Sequence, residues 1–177
     1  MKHDHKGFSL EDDGKTHINI FSRGKEELGR LLSHFPKTPF IHPYLGAFDS
    51  MEGFWYYVKA KRRDPKLQTL SGHEAKFYGR TLESRRFDEF QDVINDANYH
   101  KINQNSHIKR LLIESTLPFD HYYVLLDRET GKFIQKRPAG FDFLIDGFMR
   151  HRELFKNGHK PPELDYERIF SQIFEDQ

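Results

Sequence analysis

From Asp49 onward, the apolar side chains of this 177-residue chain recur every three or four positions in separate blocks, and no other feature limits the fold as tightly. Met51, Phe54, Trp55 and Val58 share one helical face, Phe87, Phe90, Val93, Ile94 and Ala97 make a second stripe, and Ile108, Leu111 and Leu112 a third. A short helix is predicted from Ser71 through Glu74 to Gly79. Phe141 to Phe155 reads as another amphipathic segment, and Tyr166, Ile169, Phe170 and Ile173 mark a last one over 164–174. Only two stretches alternate as strands do. His17 to Ser22 is one; the other is His121 to Leu126, which turns through Asp127 to Gly131 and returns along Lys132 to Gln135 as a hairpin. The predicted fold class is α+β, predominantly α-helical: a helix-rich single domain with a small antiparallel sheet.

Local chemistry sets the boundaries. Residues 1–16 are charged, contain Gly7 and Gly14, and show no period, so they read as a flexible lead-in to a single domain over 17–177. Three prolines and a glycine between 35 and 49 favour an ordered loop, anchored by Phe35, Phe40, Tyr44 and Phe48. Asp49 with Glu52 three residues on has the form of a capping box, opening a helix that runs to about Arg62 and stops before Asp64-Pro65. Hydrophobic residues are only 36% of the chain, yet 17 are Phe, so aromatic rings must supply much of the core.

Several function classes lose their primary signals. With 28 Lys and Arg against 27 Asp and Glu, no global charge draws the molecule onto nucleic acid or an anionic membrane, and anion recognition must be local. The absence of cysteine removes disulfides, thiolate metal sites and thiol nucleophiles, and favours an intracellular, cytoplasmic location. The polar N-terminus reads as neither a secretory signal nor an anchor, and no apolar run approaches a membrane span. There is no Gly-x-Gly-x-x-Gly, no phosphate loop and no His-Glu-x-x-His, and the 11 histidines form no close-spaced ligand pair outside the lead-in, so neither a metal nor a cofactor is expected.

The order of four segments is more informative than any one of them. Ile18-Asn19-Ile20-Phe21-Ser22 is followed by Leu32-Ser33-His34-Phe35-Pro36, then by Asp49-Ser50-Met51-Glu52-Gly53-Phe54-Trp55-Tyr56-Tyr57-Val58-Lys59, then by Ala75-Lys76-Phe77-Tyr78-Gly79-Arg80. This order resembles the NADAR family, also called YbiA-like, over residues 18–80. The family pattern has an Ile-Asn-Phe-Tyr-Ser strand, a Ser-Asn-Phe segment, a helix-opening Glu with a Lys seven residues later, and a Gly-Arg. His34 stands here in place of the family's Asn. The C-terminal half departs further: the family's Asp beside Trp-Gly and its Asn-x-Leu-Gly helix are absent, and the only Trp is Trp55.

The resemblance implies an N-glycosidase that hydrolyses a ribose C1'–N bond, with Glu52 as the catalytic carboxylate. Its substrate would be a small-molecule nucleotide or ADP-ribosylated base such as ADP-ribosylated guanine, free or within nucleic acid, or a phosphorylated ribosylamino-pyrimidine. Such cleavage passes through an oxocarbenium-like ribose and needs negative charge near the anomeric carbon and a group to activate water. The helix start favours an ionised Glu52 at neutral pH. Lys59 lies seven residues, roughly 10 Å, along the same helix face, placed for a substrate phosphate, and Arg80 suits bidentate phosphate binding. Ser33, His34, Phe35 and Tyr56 complete the candidate substrate contacts, and Asp127 is a candidate second acid. Two alternatives belong to other classes: a non-catalytic ADP-ribose or nucleotide-binding module, and a nucleic-acid-binding protein using Lys59 to Arg63, Arg80, Arg85 and Arg86.

Overall fold

A computed structural model describes residues 8–174. Seven helices and three two-stranded sheets follow in the order β1 (Ile18–Asn19), α1 (Glu27–Leu32), β2 (Phe40–His42), β3 (Gly46–Phe48), α2 (Met51–Lys59), α3 (Gly72–Thr81), α4 (Phe90–Gln104), α5 (Ser106–Glu114), β4 (Phe119–Asp120), β5 (Tyr123–Leu126), β6 (Phe133–Lys136), α6 (Asp142–Lys156) and α7 (Tyr166–Phe174). The helix-rich α+β class is the one the periodicity predicts. The sheets are smaller and more varied than expected: β2–β3 and β5–β6 are antiparallel, while β1 and β4 pair in parallel.

Helix α4 is the centre of the packing, lying against both α2 and α6. Its Val93, Ile94, Ala97 and Ile102 are fully buried, as are Phe54 and Val58 of α2. Burying a ring such as Phe54 contributes roughly 1.5–3 kcal/mol, so a low hydrophobic fraction still yields one continuous core. Phe48 illustrates this, meeting Phe54 and Tyr57 edge to face at 5.0 and 5.1 Å.

Local expectations are corrected at several points. The proline-rich segment 35–49 contains the β2–β3 hairpin, whose turn is closed by Gly46 at φ 85, a left-handed conformation that favours glycine. Helix α2 is capped by Ser50, not Asp49: the Ser50 hydroxyl accepts from the Gly53 N–H at 3.0 Å and donates to the Leu70 carbonyl at 2.8 Å. Asp49 pairs with Lys37 at 2.9 Å instead. The helix ends at Lys59 because Ala60 turns extended and bridges to Ser84. Of the segment expected to be a flexible lead-in, residues 1–7 lie outside the described residues, whereas 8–16 pack on the domain. Buried Asp13 accepts from the N–H groups of Asn19 and Lys25 at 2.9 and 2.8 Å.

The β1–β4 pairing positions the site. Asn19 exchanges two hydrogen bonds with the Tyr122 backbone, both 3.0 Å, so Ile20 to Arg23 and His121 are held side by side.

Candidate functional site

A cleft of about 760 Å³ opens between the residues after β1, the loop after α1, helices α2 and α3, β5 and the start of α6. Among the described residues lining it, Glu52 is the one acid, against the four cations Arg23, Lys59, Lys76 and Arg80. A chain with almost balanced total charge thus concentrates positive potential in one concavity, where low-dielectric walls strengthen it.

Glu52 is the second residue of α2, and its main chain rather than its carboxyl does the anchoring: its N–H donates to the His34 carbonyl at 2.9 Å. With Ser50 as the cap, Glu52 is not the reciprocal acid of a capping box, and no hydrogen bond holds its carboxylate among the described residues. Only 9% of Glu52 is exposed, and that burial raises its pKa from 4.5 to about 7, partly offset by Lys76 and then Arg80. The expectation of an acid kept ionised by the helix start is therefore corrected: desolvation outweighs the helix terminus, and near neutral pH the two protonation states are comparable.

Around this acid stand groups that are neutral or cationic. Burial, with Lys101 and His121 adding repulsion, lowers the His34 imidazole to about 3. Its Nε2 accepts from the Asn98 amide at 3.3 Å. The Nδ1–H of His121 donates to the Ile20 carbonyl at 2.6 Å, which leaves Nε2 as an acceptor, and burial lowers this ring also. Burial raises the Tyr123 phenol, with the Glu52 and Tyr56 charges adding to it, so Tyr123 remains a proton donor. At the rim, Phe35 meets His73 edge to face at 5.1 Å with the Lys76 ammonium 5.2 Å from its centroid, and exposed Phe77 stacks on His73 at 5.5 Å. Trp55 forms an inner wall, stacked on Phe141 at 5.8 Å.

The loop bearing Ser33, His34 and Phe35 is held from below. Lys101 of α4 is 1% exposed, and its ammonium donates to the carbonyls of Leu31 and Ser33 at 2.6 and 2.9 Å. These are carbonyls at the negative end of α1, which favour the cation, while burial lowers Lys101 to about 7.

Seven candidates from the sequence meet at this cleft: Glu52, Lys59, Arg80, Ser33, His34, Phe35 and Tyr56. Asp127 does not. Its carboxylate accepts from the Glu129 N–H at 2.9 Å and the Thr130 hydroxyl at 2.7 Å, stabilising the turn between β5 and β6 away from the cavity lining. Lys76, His73, His121 and Tyr123 line the cleft without having been singled out. Lys76 had a readable signal, lying four residues before Arg80 on the same face of α3. Of the basic residues considered for nucleic-acid binding, Lys61 pairs with Glu83, and Arg63 and Arg85 stack on Phe174. No group of His, Asp and Glu suited to hold a metal occurs among the described residues, and none of their helices is long and apolar enough to cross a membrane.

No protein-family model and no curated protein matches the sequence. Among solved structures, the NMR structure of the E. coli protein YbiA superposes with a TM-score of 0.57 at 16% identity, covering 89% of this chain and 100% of that one. The fold is therefore YbiA-like, as the order of segments in the first 80 residues predicts; at this identity the likeness shows the fold alone.

Proposed function

We propose that this protein is an N-glycosidase that hydrolyses a ribose C1'–N bond in an ADP-ribose-like substrate, such as ADP-ribosylated guanine, or in a phosphorylated ribosylamino-pyrimidine. One observation carries the reading: a single buried carboxyl, free of structural hydrogen bonds, stands in a cleft whose other charged groups are four cations. A scissile C1'–N bond places positive charge on the ribose as its electron pair leaves with nitrogen. Ionised Glu52 stabilises that charge and takes a proton from the attacking water in this reading. The oxygen of water then bonds to C1', and the proton held on Glu52 passes to the departing nitrogen. A pKa near 7 suits both halves of this cycle, because the group must accept and release a proton at working pH.

The cations have a separate task. Lys76 and Arg80, closest to Glu52 in electrostatic effect, and Lys59 at the end of α2 supply donors for a phosphate on the ribose. Phe35, His73 and Phe77 offer stacking faces at the rim for a base.

The test is incubation of the protein and Glu52→Gln with ADP-ribosyl-guanosine and with a ribosylamino-uracil phosphate, followed by mass spectrometry for the free base. Release by wild type and a drop of about a hundredfold or more in the variant is the expected result. Binding of either compound with no turnover would make the protein a nucleotide-binding module instead.

A further inference from the structure

Behind the cleft, one face of α4 holds the loop that carries His34. Asn98 and Lys101 lie a turn apart on that face: Lys101 takes the Leu31 and Ser33 carbonyls, and the Asn98 amide donates to Nε2 of the His34 ring at 3.3 Å. Asn98 is fully buried, and its side-chain oxygen has no hydrogen bond among the described residues. Turned end for end, the amide would leave its N–H donors in that dry place instead of one oxygen, a costlier deficit, so the donor faces the ring. Half-buried His34 is neutral, because burial and then the neighbouring Lys101 and His121 oppose its charge. A neutral ring that accepts at Nε2 carries its proton on Nδ1, and that N–H has no protein partner among the described residues. His121 has the reverse arrangement: its Nδ1–H is spent on the Ile20 carbonyl, and Nε2 is the nitrogen left over. Both rings line the cleft and flank one aromatic wall, His34 meeting Trp55 at 5.6 Å and His121 meeting Phe141 at 5.5 Å.

We propose that Asn98 is a positioning residue: it sets the His34 proton on Nδ1, so that His34 offers the cleft a donor and His121 an acceptor, a matched pair for the vicinal hydroxyls of the ribose. The identity of the ligand rests on the glycosidase reading; the placement of the proton does not. In that reading the cations take the phosphate, the rim rings take the base and Glu52 faces C1', which leaves the ribose hydroxyls for the inner wall beside Trp55. Each hydroxyl both donates and accepts, so one accepts from His34 Nδ1 while its neighbour donates to His121 Nε2. The bond from the Glu52 N–H to the His34 carbonyl keeps this pair next to the acid. Burial holds both rings neutral at neutral pH, so they orient the sugar without adding a cation beside the carbon that becomes positive.

Heteronuclear NMR of the ring nitrogens in the full chain, without substrate, reads the proton directly. Wild type should show His34 and His121 both protonated at Nδ1 and bare at Nε2. In Asn98→Leu, which removes the amide donor, the His34 proton should move wholly or partly to Nε2 while His121 stays as it is. Asn98→Asp, whose carboxylate accepts instead of donating, should draw a proton onto His34 Nε2 and decides the matter even where the leucine variant fails to fold. A His34 protonated at Nε2 in wild type, or left unchanged by the substitutions, overturns the role of Asn98 whatever the protein's activity. Turnover tests the ligand, with ADP-ribosyl-guanosine and the ribosylamino-uracil phosphate each set against the same compound lacking the 2'-hydroxyl of the reacting ribose. Wild type should favour the riboside by about a hundredfold or more in kcat/KM, and Asn98→Asp should cut that preference by about tenfold. A merely structural Asn98 would lower both rates alike, so a preference unchanged in the variant overturns the pairing with the hydroxyls. No turnover by wild type overturns the glycosidase reading and the hydroxyls with it, while the spectra still decide where the His34 proton sits.

Discussion

The ring of Tyr56 lies on the main chain of Gly79, so close that a Cβ at position 79 would stand 2.1 Å from Tyr56 Cγ. Helices α2 and α3 thereby meet through a ring and a bare backbone, and the residue after Gly79 is Arg80 of the cleft. An alanine at 79 gains roughly 1 kcal/mol of helix propensity, but it collides with the root of a ring that cannot swing aside, and overpacking of this kind costs roughly 1–3 kcal/mol. Gly79→Ala is expected to lower the denaturation midpoint. In Gly79→Ala/Tyr56→Ala the second change should cost less than it does alone, and strict additivity in the double-mutant cycle would show that the two do not touch.

Glu52 should weaken the fold at neutral and alkaline pH. Its folded pKa, about 7, lies above its ordinary 4.5, so the wild type loses stability as pH rises between those values and has lost it fully above 7. Glu52→Gln should therefore be more stable than wild type at pH 8.5, by up to about 3 kcal/mol, and indistinguishable from it at pH 4. Urea unfolding at the two pH values measures the difference.

Turnover should depend on the same proton. In the proposed reaction the ionised form of Glu52 activates water, so kcat/KM is expected to climb from pH 5 and level off above about 7. Lys76 is the leading charge that holds this pKa down, and in Lys76→Gln the rising limb should move to higher pH. A limb that stays in place would assign it to another group.

Lys101 gives the opposite slope. Its folded pKa, about 7, lies below its ordinary 10.5, so unfolded chains hold more protons and wild-type stability should increase with pH across that window. Lys101→Met should lack this increase, by as much as about 1.4 kcal/mol per pH unit. It should also be less stable at pH 7, because the Leu31 and Ser33 carbonyls lose their donor. Parallel stability curves for the two proteins would rule this account out.

Asp127→Asn is expected to leave kcat unchanged and to lower the melting temperature slightly, since the carboxylate serves the β5–β6 turn. A large loss of turnover with an intact fold would return Asp127 to the site.

The helices were legible where ring-rich stripes ran for several turns, as in α2, α4 and α7, because burial there repeats with the helical period. Helix α1 was not, since six residues are too few to display a period. The β2–β3 hairpin was hidden by prolines that also suit a loop. Within the site, Glu52, Lys59 and Arg80 lie close in sequence and could be grouped from it, whereas His121 and Tyr123 reach the cleft only through the pairing of β1 with β4, a contact across about a hundred residues. Lys101 left a trace that could have been read: it follows Ile94 and Ala97 on the stripe that α4 buries, where a lysine needs a partner inside.

The backbone of residue 52 holds the loop of His34, while its carboxylate takes part in no hydrogen bond among the described residues. A Gln there keeps the same main-chain contact, so position 52 can change its charge without giving up the bond that holds the neighbouring loop.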